Sequence, residues 1–147
     1  EAALHAAAQT ALPAQAQELQ GPTGELNVFS THARAPILCL GPGAAAAAQQ
    51  AASVTALGGV AVVADGALPA DALTTLSPLG GVIWWGTTHE NKRLEGRCFA
   101  AALADREGAI VPLITDMPDP AHAQFERHLS VDTTAAGGNV SLLSGSA

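Results

Sequence analysis

Gly41 and Gly43, with Ala46 behind them in "GPGAAA", stand between an apolar run and an Ala-rich segment, and Asp65 closes the next apolar run. The chemistry this spacing could perform is dinucleotide binding. A residue without a Cβ lets the backbone approach a pyrophosphate, amides and dipole at a helix start hold it, and an acid ending the following strand takes a ribose hydroxyl. Pro42 works against that reading, because it removes one amide and stiffens the turn. Any strand-to-helix turn in a parallel sheet also favours glycine. A dinucleotide-binding domain, active or vestigial, using Gly41, Gly43 and Asp65 is therefore the second reading of the chain.

Other reactive side chains converge less. His89 beside Glu90, and His122 with His128, have the types for a metal or for acid/base work. His122 and His128, however, fall on different faces of a predicted helix, and a zinc site needs convergent ligands. Cys39 lies inside an apolar run where burial disfavours the thiolate, and Cys98 lies in a predicted helix with no base in view. Their spacing matches neither a disulfide framework nor a zinc motif, so both read as buried free thiols. The terminal "SGS" lacks the framing strand and helix of a nucleophile elbow. No catalytic residue, no metal site and no cofactor are expected of this chain by itself.

The elements that must position these residues are set by composition first. A chain of 147 residues is the size of one ordinary domain and can bury a real core. With three Phe, two Trp and no Tyr, that core must come from Val, Leu, Ile and Ala. A formal charge of −7 with only six Lys and Arg argues against direct nucleic-acid contact or an anionic membrane surface. No apolar run approaches the roughly 20 residues that cross a bilayer, and "EAALHAAAQTALPAQAQ" lacks the basic region of a secretory leader; the expectation is a cytoplasmic chain. Met117 is the sole Met and position 1 is Glu, so the chain reads as a piece of a longer polypeptide.

Residues 1–20 read as a helical lead-in with a weak stripe at Leu4, Ala8 and Leu12, and 21–34 as a linker or extended segment. From 35 to 128 the pattern alternates. "PILCL", "VAVVAD", "GVIWWG" and "AIVPLI" are short apolar runs of the kind that form strands buried on both faces. Between them lie the Ala-rich segment after Gly43, "LPADALTTLS", and an amphipathic helix after Thr87 and Thr88 with Leu94, Cys98, Ala101 and Ala102 at helical spacing. "DPAHAQFERHL" reads as a last helix with Pro in its first turn. Trp84 and Trp85 are adjacent in a strand and point to opposite faces, so at least one is packing. The expected fold is α/β: a Rossmann-like open parallel sheet of about four to five strands with helices on both faces, plus an extended C-terminal tail.

That tail, 129–147, is nearly uncharged. Ser130, Val131, Asp132, Thr133 and Thr134 lead into a small-residue hinge of Ala135, Ala136, Gly137 and Gly138, followed by Asn139, Val140, Ser141 and Leu142. Two strand-capable pieces around a hinge suit addition to a sheet edge, where main-chain bonds give affinity and alternate side chains give register. Docking on a neighbouring domain is the first use of such an edge, and self-association through the tail is the second.

Two stretches carry a family resemblance. "GPTGELN" at 21–27 is similar to the "GPTGERN" segment of the proline utilization A (PutA) family, with Leu26 where Arg is usual. "HLSVDTTAAGGNVSLL" at 128–143 resembles that family's closing motif, a run like "LSVNTAAAGGNASLM", with Asp132 in place of Asn and Val140 in place of Ala. The resemblance implies a parent that fuses an FAD-dependent proline dehydrogenase to an NAD-dependent L-glutamate γ-semialdehyde dehydrogenase and channels the intermediate through an internal cavity. It implies for this chain the extra C-terminal domain, similar to the NAD-binding domain of aldehyde dehydrogenases but without the catalytic Cys. Such a domain packs on the aldehyde dehydrogenase module of the same polypeptide, and its closing motif helps to cover the cavity. The parent would be cytoplasmic or peripheral to the inner membrane.

Overall fold

The computed structural model describes residues 1–10, 14–64, 68–86 and 90–132. The elements in order are α1 (Ala2–Ala8), β1 (Gln15–Leu19), β2 (Glu25–Ala33), β3 (Ile37–Cys39), α2 (Gly43–Ala56), β4 (Ala61–Val63), a 3₁₀ turn (Ala70–Thr74), β5 (Gly81–Ile83), α3 (Glu90–Ala104), β6 (Leu113–Ile114), α4 (Pro120–Ala123) and β7 (Gln124–Asp132). They form two compact units, one of residues 1–12 and 33–125, the other of 13–32 and 126–147.

The larger unit is α/β and built on a four-stranded parallel sheet in the order β4-β3-β5-β6. The chain steps from β3 to one side through α2 and then to the other side for β5, the doubly wound pattern. Alternation along β3 and β5 splits the core in two. Ile37, Cys39 and Ile83 pack with Ala47 and Val54 of α2. Leu38 and Val82 pack with Leu73 of the 3₁₀ turn and with Phe99, Ala102 and Leu103 of α3. Helices therefore cover both faces, and each fully buried Leu, Ile or Val is worth about 1.5–3 kcal/mol of removed apolar surface. Trp84 joins the α3 cluster, edge-on to Phe99 at 5.1 Å between ring centres, while Trp85 borders the α2 cluster, so the two indoles do face opposite ways.

Several elements differ from the sequence expectation. β4 is not buried on both faces: it is the sheet edge, with Val63 exposed, because no strand among the described residues pairs beyond it. The run "AIVPLI" contributes only Leu113 and Ile114 to the sheet, and Ile110 is 96% exposed. The buried face of α3 is Phe99, Ala102 and Leu103; Leu94, Cys98 and Ala101 are exposed, so the stripe is rotated from the expected one and Cys98 is not a buried thiol. The lead-in is helical only to Ala8, and Gln15–Leu19 is a strand held by pairing with β2, from Gln15 opposite Thr31 to Leu19 opposite Asn27. The last helix is one turn long. Asp119 caps it by accepting the His122 N–H at 3.1 Å, after which Gln124–Asp132 runs as a strand across the expected boundary at 128.

Arg34 fastens the start of the 33–125 stretch to its end. Its backbone N–H donates to Ala123 O at 2.9 Å, and its Nε donates to Ala121 O and Gln124 O at 2.8 and 3.0 Å. Arg106 secures the 3₁₀ segment in the same manner, donating from Nη2 to Leu76 O at 2.8 Å and from Nη1 to Leu73 O.

The smaller unit contains the sheet β1-β2-β7, antiparallel throughout. None of its described residues is buried. Along β7, Phe125, Leu129 and Val131 alternate with Glu126, His128 and Ser130 and are 40–53% exposed. Ser30 Oγ lies 2.9 Å from His32 Nε2 and donates to Arg127 O at 3.4 Å.

Candidate functional site

In a doubly wound sheet the ligand crevice lies at the carboxyl ends of the strands where the order reverses, here between β3 and β5. The turn Gly41-Pro42-Gly43 leaves β3 at that point. Gly41 has φ +95° and is buried, and a Cβ on it would stand 2.4 Å from Gly43 N and 2.7 Å from Gly43 O. Both facts require glycine for the local turn itself. Gly43 opens α2 with φ +79° and faces open space, with nothing within 4 Å of a Cβ built there.

A residue that sequence reasoning passed over controls this turn. Gln50, one helical stretch along α2 and 0% exposed, accepts the Gly41 N–H on Oε1 at 2.9 Å and donates from Nε2 to Gly41 O at 2.7 Å. Trp85 N–H donates to the same carbonyl at 2.8 Å. A buried amide side chain thus spends both backbone groups of Gly41 internally. The only signal for it in the sequence is a Gln in an otherwise small-residue helix, one turn past Ala46 and Ala47, and Gln49 beside it points outward.

This arrangement bears on the dinucleotide reading. The structure brings Gly41 and Gly43 together at the right end of the right strand; Asp65 lies outside the described residues. Yet the Gly41 amide is already taken by Gln50, Pro42 has no N–H, and the first turn of α2 carries no charged side chain. Of the turn's backbone groups, the Gly41 amide and Pro42 therefore have no N–H to offer a pyrophosphate.

The remaining candidates scatter. Cys39 is 0% exposed and burial pushes its thiol up to about 12, which leaves it unreactive as a nucleophile. Cys98 is exposed on α3. His122 is occupied as a cap, with Nδ1 accepting the Asp119 N–H at 3.1 Å, and His128 lies in β7, so the two share no helix. His89 is outside the described residues. Among the described residues no group of three or more His, Cys, Asp or Glu side chains could hold a metal ion, and no helix is long and apolar enough to cross a membrane. Of the closing motif, Ser130, Val131 and Asp132 are the end of β7, and 133–142 fall outside the described residues.

No protein-family model matches the chain. It is 33% identical to the bifunctional protein PutA of Salmonella typhimurium and 30% identical to that of Escherichia coli, each over 148 aligned positions that take in 85% of this chain. The chain spans 11% of the length of these curated relatives. The match reaches across both units, and this chain is accordingly related to one segment of the bifunctional protein PutA.

Proposed function

We propose that the chain is a non-catalytic domain of a bifunctional proline-catabolic enzyme, one that converts proline to glutamate with FAD and NAD held elsewhere in the polypeptide. It packs on the aldehyde dehydrogenase module, and its closing segment from Ser130 onward helps to cover the cavity that channels the intermediate. The observation that carries this reading is the similarity to PutA over most of the chain. Two features support it: in the turn after β3 both backbone groups of Gly41 are occupied by Gln50, and none of the described residues of the β1-β2-β7 sheet is buried. Three strands with little apolar burial are marginal in water, so they gain stability from a neighbour. Deleting residues 129–147 from the parent enzyme tests the role. Aldehyde oxidation and transfer of the intermediate are expected to fall while proline oxidation is retained; unchanged transfer refutes it.

The second reading, a dinucleotide-binding domain, rests on the open side of Gly43 at the sheet's carboxyl edge. Titration with NAD, NADP and adenine nucleotides separates the two, since saturable binding at micromolar ligand favours the second.

A further inference from the structure

The two edges of the parallel sheet are protected unequally. β6 forms one edge with two residues directly after Pro112. The carbonyls of Pro112 and Ile114 accept Val82 N–H and Trp84 N–H at 2.9 Å, so of the strand's two residues only Leu113 turns its backbone outward. Short length and proline are two devices by which edge strands avoid pairing with another chain. β4, the opposite edge, has no such device in its own residues: from Gly58 to Ala64 the chain carries no charge and no proline. Val60 O accepts Ile37 N–H at 2.8 Å, and Ala64 N–H donates to Cys39 O at 3.0 Å. Alternation along the strand therefore turns the backbone groups of Ala61 and Val63 away from β3. An uncharged, Val-rich strand with two outward rungs is a template for pairing.

What stands at this edge is α1. It belongs to the same compact unit as the sheet and lies against β4. Leu4, 2% exposed, is its one buried side chain, while Ala2, Ala3, His5, Ala6 and Ala8 are exposed. Helices shorter than about 12 residues are marginal by themselves, so the seven residues of α1 depend on the seat of Leu4. No backbone hydrogen bond joins α1 to Ala61 or Val63 among the described residues. A cover that is anchored by a single side chain and shares no ladder with the strand can leave without breaking the sheet.

We propose that α1 is a displaceable guard on β4, and that the edge, once α1 leaves it, pairs with β4 of a second copy of this chain. A twofold axis at Val62 sets Ala61 of each copy opposite Val63 of the other. The two outward rungs then become hydrogen-bonded pairs of an antiparallel ladder. Two chains of net charge −7 can meet there because no charge lies between Gly58 and Ala64, so the ladder opposes no like charges. While Leu4 is seated, α1 withholds the edge. The device is independent of the assembly role of the closing segment.

Sedimentation of the full 147-residue chain over a concentration series tests the guard. Leu4→Asp is expected to self-associate at least about tenfold more tightly than the unsubstituted chain, with amide exchange at Ala61 and Val63 slowing as concentration rises. Leu4→Ala, which shortens the anchor without adding charge, is expected to move the same way by less. Adding Val63→Lys to either variant puts a charge on the edge at a half-exposed position and should return association to the unsubstituted level. Arg106→Met, which loosens the same unit away from α1, should gain no association. Folded Leu4 variants with no gain in association, a gain that Val63→Lys leaves in place, or an equal gain in Arg106→Met overturns the proposal. So does loss of native circular dichroism in both Leu4 variants, because Leu4 would then belong to the core of the sheet unit and not to a removable cover.

Discussion

Replacing Gln50 by Leu tests whether the Gly41 turn is held from inside. Leucine has nearly the volume of glutamine, so the helix and its packing survive and the cavity term is small. What is lost is the pair of bonds to Gly41 at 2.9 and 2.7 Å. The Gly41 carbonyl keeps the Trp85 N–H at 2.8 Å and is not orphaned. The Gly41 N–H is left buried without an acceptor, and an unsatisfied buried donor costs about 1–3 kcal/mol. A loss of about 2 kcal/mol follows, which lowers the melting temperature by about 4–8 °C for a chain of this size. Tryptophan fluorescence in urea is the appropriate readout, because both Trp residues belong to the parallel-sheet unit and the signal reports that unit alone. The outward neighbour supplies the control: Gln49→Leu should change stability by less than about 0.5 kcal/mol. A Gln50→Leu loss within that same margin would show that the turn is held by something else and would return the Gly41 amide to the list of free donors.

Further outcomes can be stated from the same geometry. Gly41→Ala combines a left-handed φ with a Cβ placed 2.4 Å from backbone and should cost more than about 2 kcal/mol, whereas Gly43→Ala, with the same sign of φ but open space, should cost about 1 kcal/mol; equal losses in urea melts would contradict the steric account. In native protein an aromatic disulfide reagent should modify Cys98 and spare Cys39 until the chain unfolds, and two fast equivalents would disprove the burial of Cys39. Because the Cys39 thiol ionises near 9.0 when unfolded and only near about 12 when folded, the unfolded state sheds its proton first, so this group's contribution to stability is intact below pH 9 and declines as pH rises from about 9 to 12; Cys39→Ala should flatten that slope in a pH series of urea midpoints. Arg106→Met, which releases the carbonyls of Leu73 and Leu76, should destabilise the parallel-sheet unit by about 2 kcal/mol in the same melts.

The parallel sheet was legible because its two central strands carry uninterrupted apolar runs, "PILC" and "GVIWW", that only burial on both faces explains. The edges were less so. Val63 and Ile110 look identical in sequence to core residues, and which strands end a sheet is decided by pairing, not by composition. The strand Gln124–Asp132 hides behind a genuine helix start: Asp119 and Pro120 begin a turn of helix as expected, and the period-2 alternation of Phe125, Arg127, Leu129 and Val131 then takes over. β1 has almost no strand propensity in "QAQEL" and exists because β2 offers it a register. On α3 the true stripe of Phe99, Ala102 and Leu103 has the same spacing rule as the expected one and differs only in phase. Gln50 was invisible for a related reason, since periodicity places a residue on a face without telling what polar backbone waits there.

The Arg34 fastening has a consequence for how such a chain could have been assembled. It joins carbonyls 87 and 90 residues downstream, so the stretch from residue 34 to residue 124 begins and ends at one place. A segment whose ends already meet can be inserted into a host at small entropic cost, because the loop it closes adds only a logarithm of its length. β2 and β7, the strands on either side of that doorway, are sheet neighbours whether or not anything lies between them in sequence. A lineage could therefore gain or shed the stretch from residue 34 to residue 123 in one event, with a short turn taking its place and α1, which belongs to the same unit, left outside the exchange.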